Sequence, residues 1–129
     1  MIVLLHGLGV QQNFSLLNYF SGEYYVYTQQ RTGVDSINLG FCYMSTEQNV
    51  DVKLGESIKV YNIEPVAAIK TLNARIVKKE TLSNGTNIFY AYTNLIKECV
   101  NVDGHKVNLQ VAHNDKYTII GWPLIIGSY

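Results

Sequence analysis

Glu64–Ala74, EPVAAIKTLNA, is the place where the apolar residues of this chain change period. Val66, Ile69 and Leu72 recur at helical spacing and Ala68 widens the stripe, which predicts an amphipathic helix. Pro65 suits its first position, where a missing N–H costs nothing. On both sides the pattern alternates instead, as strands do. Upstream, EYYVYTQQ (Glu23–Gln30) sets Tyr25, Tyr27 and Gln29 against Tyr24, Val26 and Thr28. SINLGFCYMS (Ser36–Ser45) reads as a second strand, in which Gly40 marks a bulge or a close backbone contact. SIKVYNI sets Ile58, Val60 and Asn62 against Ser57, Lys59, Tyr61 and Ile63.

Downstream of the helix, strands and tight turns follow one another. RIVKKETL leads to SNGT, where Asn84-Gly85 tolerates the positive φ of a hairpin turn. NIFYAYTN and KECVNV come next, and Asp103-Gly104 makes another turn. HKVNLQVAH then sets Val107, Leu109 and Val111 against Asn108, Gln110 and Ala112. After Asn114-Asp115-Lys116 the chain ends in YTIIGWPLIIGSY, where Pro123 makes the strand an edge or breaks it. The predicted fold is α+β: an antiparallel meander sheet with one main helix packed on a face. Two segments are expected, an apolar N-terminal stretch over 1–21 and a single α+β domain over 22–129.

With 129 residues, 47% of them hydrophobic and 16% charged, the chain is long and apolar enough for one cored domain. Ten basic and ten acidic residues leave a formal net charge of zero. Nucleic acid is therefore not an expected partner, because phosphate binding needs a basic surface. Arg75, Lys78 and Lys79 form the densest basic cluster and read as a solvated face beside Glu80. Cys42 and Cys99 have no metal-type spacing; two unpaired thiols are the default, and one disulfide is the alternative outside the cytoplasm.

Two stretches invite a hydrolase reading. VLLHGLG (Val3–Gly9) resembles a strand running into an oxyanion loop, and LGESIK (Leu54–Lys59) begins as Gly-x-Ser. The order Ser57, Asp103, then His105 or His113 matches Ser…Asp…His. Lys59 stands where a nucleophile elbow needs its second glycine, however, and SIKVYN alternates as a strand rather than entering a helix. Ser57 reads instead as a polar position at a strand start, and His6 as a core or interface histidine. His105 and His113 share a face by parity, but eight residues of strand hold them more than about 25 Å apart. Asp103 and Asp115 suit turns. No catalytic residues, cofactor or metal ligands are assigned. Tyr90 and Tyr92, on one strand face, and Trp122 read as cross-strand packing or as a partner surface. The triplets at Asn13 and Asn84 fit the glycosylation pattern.

Met1–Gly22 carries no charged side chain apart from His6. It has the length of a helical span, but Gln11, Gln12, Asn13 and Asn18 interrupt it, and no basic segment precedes it. Three readings stay open: part of an anchor whose basic start lies upstream of Met1, a buried first strand or helix, or an intact signal peptide.

The order of helix, ARIVKKE, NIFYAYT, VNLQVA (Val107–Ala112) and GWPLIIGSY (Gly121–Tyr129) resembles the C-terminal part of the YwmB family, exported proteins of Gram-positive spore-formers. The resemblance covers residues 64–129 and leaves the first half unaligned. It implies an exported or membrane-anchored bacterial protein and brings no catalytic residues with it. A likeness of shape to TATA-box-binding proteins does not imply DNA binding. The expected function is a non-enzymatic binding or interaction domain outside the cytoplasm, for a protein or a small ligand. The alternatives are a small serine hydrolase using Ser57 and His113, and a cytoplasmic assembly subunit joined through Met1–Val10 and Leu124–Ile126.

Overall fold

A computed structural model describes residues 14–31, 37–39, 43–44, 53–125 and 129. A 3₁₀ turn, Leu16–Asn18, precedes the strands β1 (Glu23–Arg31), β2 (Ile37–Leu39), β3 (Tyr43–Met44) and β4 (Lys53–Val60). The helix α1 (Pro65–Thr71) follows, and then β5 (Ala74–Thr81), β6 (Asn87–Thr93), β7 (Val100–Val102), β8 (His105–Val107), β9 (Leu109–His113) and β10 (Thr118–Trp122). Eight strands form one antiparallel sheet in the order β2-β1-β4-β10-β9-β6-β5, with β3 also paired to β1; β7 and β8 make a separate hairpin.

The expected α+β class holds, and the meander is β5–β6–β9–β10. Helix α1 carries the chain from β4 to the far edge at β5, so the returning meander brings β10 back against β4. Thus β10 is central, and the chain leaves it at Pro123, which cannot donate to a ladder. Helix α1 packs against β5 and β9. Its buried stripe is Pro65, Ala68, Ile69 and Leu72, whereas Val66, expected in the stripe, is 47% exposed. The spacing i, i+3, i+4, i+7 from Pro65 gives a full helical face, and Val66 lies one step round from it. Asn73 at φ 53° ends the helix, and Thr93 Oγ1 donates to the Leu72 carbonyl at 2.7 Å, fastening that end to β6.

One core fills the space between α1 and the sheet. Val26, Ile58, Val60, Ile120, Trp122, Leu109, Val111, Phe89 and Ala91 meet Ala68, Ile69 and Leu72 there. Each such aliphatic side chain, fully buried, contributes about 1.5–3 kcal/mol. Phe14, Leu16 and Phe20 belong to the same cluster. The body therefore takes in residues ahead of the expected boundary at 22. Residues 1–13, with His6 and Asn13, lie outside the described residues, as do Gly40 and Cys42.

One expected strand is broken and another is described only in part. Of Ser36–Ser45, β2 and β3 are described, and both pair antiparallel with β1, at Gln29–Arg31 and at Tyr25–Val26. His105–His113 breaks at Asn108, so the parity that put His105 and His113 on one face does not carry across it. Asn108 is fully buried; its amide donates to the carbonyls of Thr93 and Ile96 and accepts from Thr93 N–H, all at 2.9 Å. The side chain replaces ladder bonds where β8 turns away to β7, which puts Val107, Asn108 and Leu109 all inside. The turns follow their residues: Asp103 and Gly104 both have positive φ, while at Asn84-Gly85 only Gly85 does. In the third, Asn114 Oδ1 accepts the N–H groups of Lys116 and Tyr117.

Candidate functional site

Lys53 and Glu56 lie three apart on β4, a spacing that alternation would send to opposite faces. The pairing of β4 with β1 slips by one residue, from Tyr27↔Gly55 to Thr28↔Lys53, so that Leu54 has no partner. This β-bulge flips the parity and returns Lys53 to the face of Glu56. Glu56 stands between Val26 on β1 and Trp122 on β10, level with both. Beside it, Gly55 is required because a Cβ there would run into the Trp122 carbonyl oxygen. That close approach accounts for the glycine of LGESIK.

Glu56 is 0% exposed, and five donors converge on its carboxylate. Its Oε1 accepts Leu16 N–H at 2.8 Å and the Trp122 indole N–H at 2.7 Å. Its Oε2 accepts the Ser15 hydroxyl at 2.9 Å, the Tyr24 hydroxyl, and Lys53 Nζ at 3.4 Å. Lys53 Nζ also donates to the Phe14 carbonyl at 2.9 Å, and Ser15 Oγ accepts Leu17 N–H at the start of the 3₁₀ turn. A carboxylate offers about four lone-pair sites, so this one is filled by protein groups. The arrangement satisfies the charges buried with it and ties residues 14–17 to the sheet centre. It is a fastening for the N-terminal turn, closed to solvent.

Burial, and then the hydrogen bond to Glu56, push the Tyr24 hydroxyl well above its ordinary range. In the unfolded chain Tyr24 ionises near pH 10, while the folded chain keeps its proton. The unfolded state therefore binds fewer protons above pH 10. Its share of stability is full below that pH and falls as pH rises, by up to about 1.4 kcal/mol per unit. Urea unfolding from pH 9 to 11.5 is expected to show a shallower decline for Tyr24→Phe than for the unaltered chain. Equal slopes would refute the shift.

The structure does not bring Ser57 and His113 together. Ser57 is level with Gly121 and Gln110, whereas His113 is level with Thr118 and Val60. They are three residues apart along the strands and two strands apart across them, about 10 Å in each direction. They also face opposite ways, His113 with Leu109 and Val111 towards α1, and Ser57 away from it. Ser57 is buried in the middle of β4 and not at its start. Asp103 sits at the tip of the β7–β8 hairpin, where Lys78 pairs with it and holds its carboxyl below the usual range. His105 is exposed on β8, and Asp115 is exposed in the β9–β10 turn.

His113 has a defined partner. Thr118 Oγ1 donates to the Ile63 carbonyl at 2.9 Å, which commits its single proton. At 2.7 Å from His113 Nδ1 it must therefore accept, so Nδ1 carries a hydrogen. Long-range ¹H–¹⁵N correlation of the imidazole at neutral pH is expected to show a protonated Nδ1. A neutral ring with hydrogen on Nε2 alone would contradict the Thr118 bridge. His113 borders a hollow of about 210 Å³ with Asn62, Glu64 and Tyr117.

On the face away from α1, β5 and β6 form a second candidate site. Their register slips between Ile76 and Lys78, leaving Val77 unpaired, so Arg75 opposes Tyr92 and Lys78 opposes Tyr90. Again a bulge unites two residues three apart. The Arg75 guanidinium lies 5.6 Å from the Tyr92 ring centre, and Lys78 Nζ lies 5.6 Å from that of Tyr90. Such contacts contribute about 0.5–1 kcal/mol at exposed positions. Tyr90 donates to Glu80 at 2.7 Å; burial and that acid raise its hydroxyl to about 12. The strip thus alternates cations and half-buried rings along one sheet edge, whereas Lys79 lies over Phe89 on the other face.

Sequence reading singled out Tyr90, Tyr92 and Trp122 as packing or as a partner surface, of which the fully buried Trp122 is packing, and it passed over Lys53, Glu56, Tyr24 and Ser15. The available signal was an acid flanked by Gly55 and Ser57 inside an alternating run. Among the described residues no group of three or more His, Cys, Asp or Glu is placed to hold a metal, and no helix is long and apolar enough to cross a membrane. Cys99 is exposed with a free thiol. Comparison with protein-family models, with curated proteins and with solved structures finds no match.

Proposed function

We propose that this chain is a non-enzymatic binding domain whose contact surface is the β5–β6 strip of Arg75, Lys78, Tyr90 and Tyr92. The observation that carries this reading is the bulge at Val77, which puts both cations over both rings on one exposed edge. Rings half-sunk in a rigid sheet lose little freedom on contact, and a guanidinium held over one is already oriented; both lower the cost of association. A location outside the cytoplasm at a membrane face goes with this reading. It draws support from the uncharged run Met1–Gly22 and from the resemblance of residues 64–129 to exported proteins.

Selection of displayed twelve-residue random peptides on the whole chain tests the surface. Selected binders are expected to protect β5 and β6 amides from hydrogen exchange and to weaken about tenfold on Tyr92→Ala. Binders that protect another surface and ignore that substitution would overturn the reading. Fractionation of cells expressing the native locus tests the location, and a purely cytoplasmic product would overturn it.

A further inference from the structure

At the corner where α1 gives way to β5, Asn73, Ala74, Arg75, Tyr92 and Asn94 line a hollow of about 330 Å³. We infer that this hollow is a subsite for a monoanionic carboxylate, with the Arg75 guanidinium as its fork and the amides of Asn73 and Asn94 beside it. The inference rests on the strip being a binding surface and names the chemistry that one end of it takes.

Four observations converge here. No acidic side chain lines the hollow, although the chain has as many acids as bases. Of the two cations in the strip, Lys78 is neutralised by Asp103, whereas Arg75 has no ion pair and no side-chain hydrogen bond among the described residues. Its guanidinium lies 5.6 Å from the Tyr92 ring centre at the mouth of the hollow, and a guanidinium is the group that suits a planar carboxylate held by two bonds. Finally, Asn73 is held at φ 53° between the helix end and β5, and the bond from Thr93 to Leu72 braces the same corner from within. The lining is therefore a set of donors on a fixed backbone. One uncompensated positive charge matches a monoanion, while a phosphate dianion calls for more.

The carboxylate could belong to a small acid or to a peptide C-terminus, and the test separates them. The ¹⁵N-labelled whole chain is titrated with N-acetylglycine and with acetyl-Ala-Ala-Ala, each beside its C-terminal amide, and with inorganic phosphate. Both acids are expected to move the Arg75 Nε–H signal and the side-chain amides of Asn73 and Asn94, with the amidated forms about tenfold weaker. Arg75→Gln, an exposed position outside the core, is expected to keep the melting temperature and lose the response. A peptide acid about tenfold tighter than N-acetylglycine would identify a chain terminus as the ligand; equal affinities would identify a small acid. Amides that bind as well as acids, phosphate that binds tighter than both, or an Arg75→Gln variant that still responds would overturn the subsite. Displayed peptides that protect the strip while lacking any need for a carboxylate would overturn it too, leaving the binding surface itself intact. Peptides that avoid the strip would end both.

Discussion

Glu56→Ala is expected to destabilise the fold by about 4 kcal/mol or more, because removing one member of a buried ion pair leaves the other charge uncompensated. Lys53 would stay 4% exposed with only the Phe14 carbonyl as acceptor, and the Tyr24, Ser15, Trp122 and Leu16 donors would lose theirs. Each orphaned donor costs about 1–3 kcal/mol where water cannot enter. Against a typical total of about 5–15 kcal/mol, that is a large share. Urea denaturation followed by the fluorescence of Trp122, the one tryptophan, measures it. Lys53→Met removes the cation and leaves the carboxylate its four neutral donors, so about 3 kcal/mol is expected. The double variant should cost less than the sum, since the two side chains share one interaction. Additive losses would show that the ion pair is not coupled.

Trp122→Ala is expected to cost about 5 kcal/mol, the upper end for emptying a fully buried aromatic site. The indole packs edge-on against Phe14 at 5.8 Å, so its loss also loosens the N-terminal turn. Trp122→Phe separates shape from hydrogen bonding: it keeps a ring but strips the 2.7 Å bond to Glu56, for about 2 kcal/mol. Circular dichroism during denaturation is the readout for both. A Trp122→Phe variant as stable as the unaltered chain would mean that Glu56 does not depend on the indole.

Periodicity carried the reading of this chain as far as periodicity holds. Glu23–Arg31, α1, β6 and the turns at Asn84-Gly85 and Asp103-Gly104 follow local rules, and each stands where its residues predicted. The two candidate sites sit where those rules break. At Leu54 and at Val77 an extra residue reverses the alternation, so Lys53 joins Glu56 and Arg75 joins Lys78, pairs that a period of two separates. A bulge depends on the register of a neighbouring strand far off in sequence, and no local pattern announces it. Asn108 misled in a similar way, because its buried amide stands in for backbone partners that only the fold supplies. The hydrolase resemblance of LGESIK dissolves for a related reason: Gly55 answers to the Trp122 carbonyl and Ser57 faces away from His113.

The Glu56 cluster, as architecture, makes residues 14–20 part of the body rather than a lead into it. Native-state hydrogen exchange tests that most directly, read at two N–H groups bonded to the same carboxylate oxygen, Leu16 N–H and the Trp122 indole. Both are predicted to exchange only through global unfolding, with the opening free energy that urea denaturation gives. A Leu16 amide that exchanges through a local opening while the indole stays protected would contradict the account.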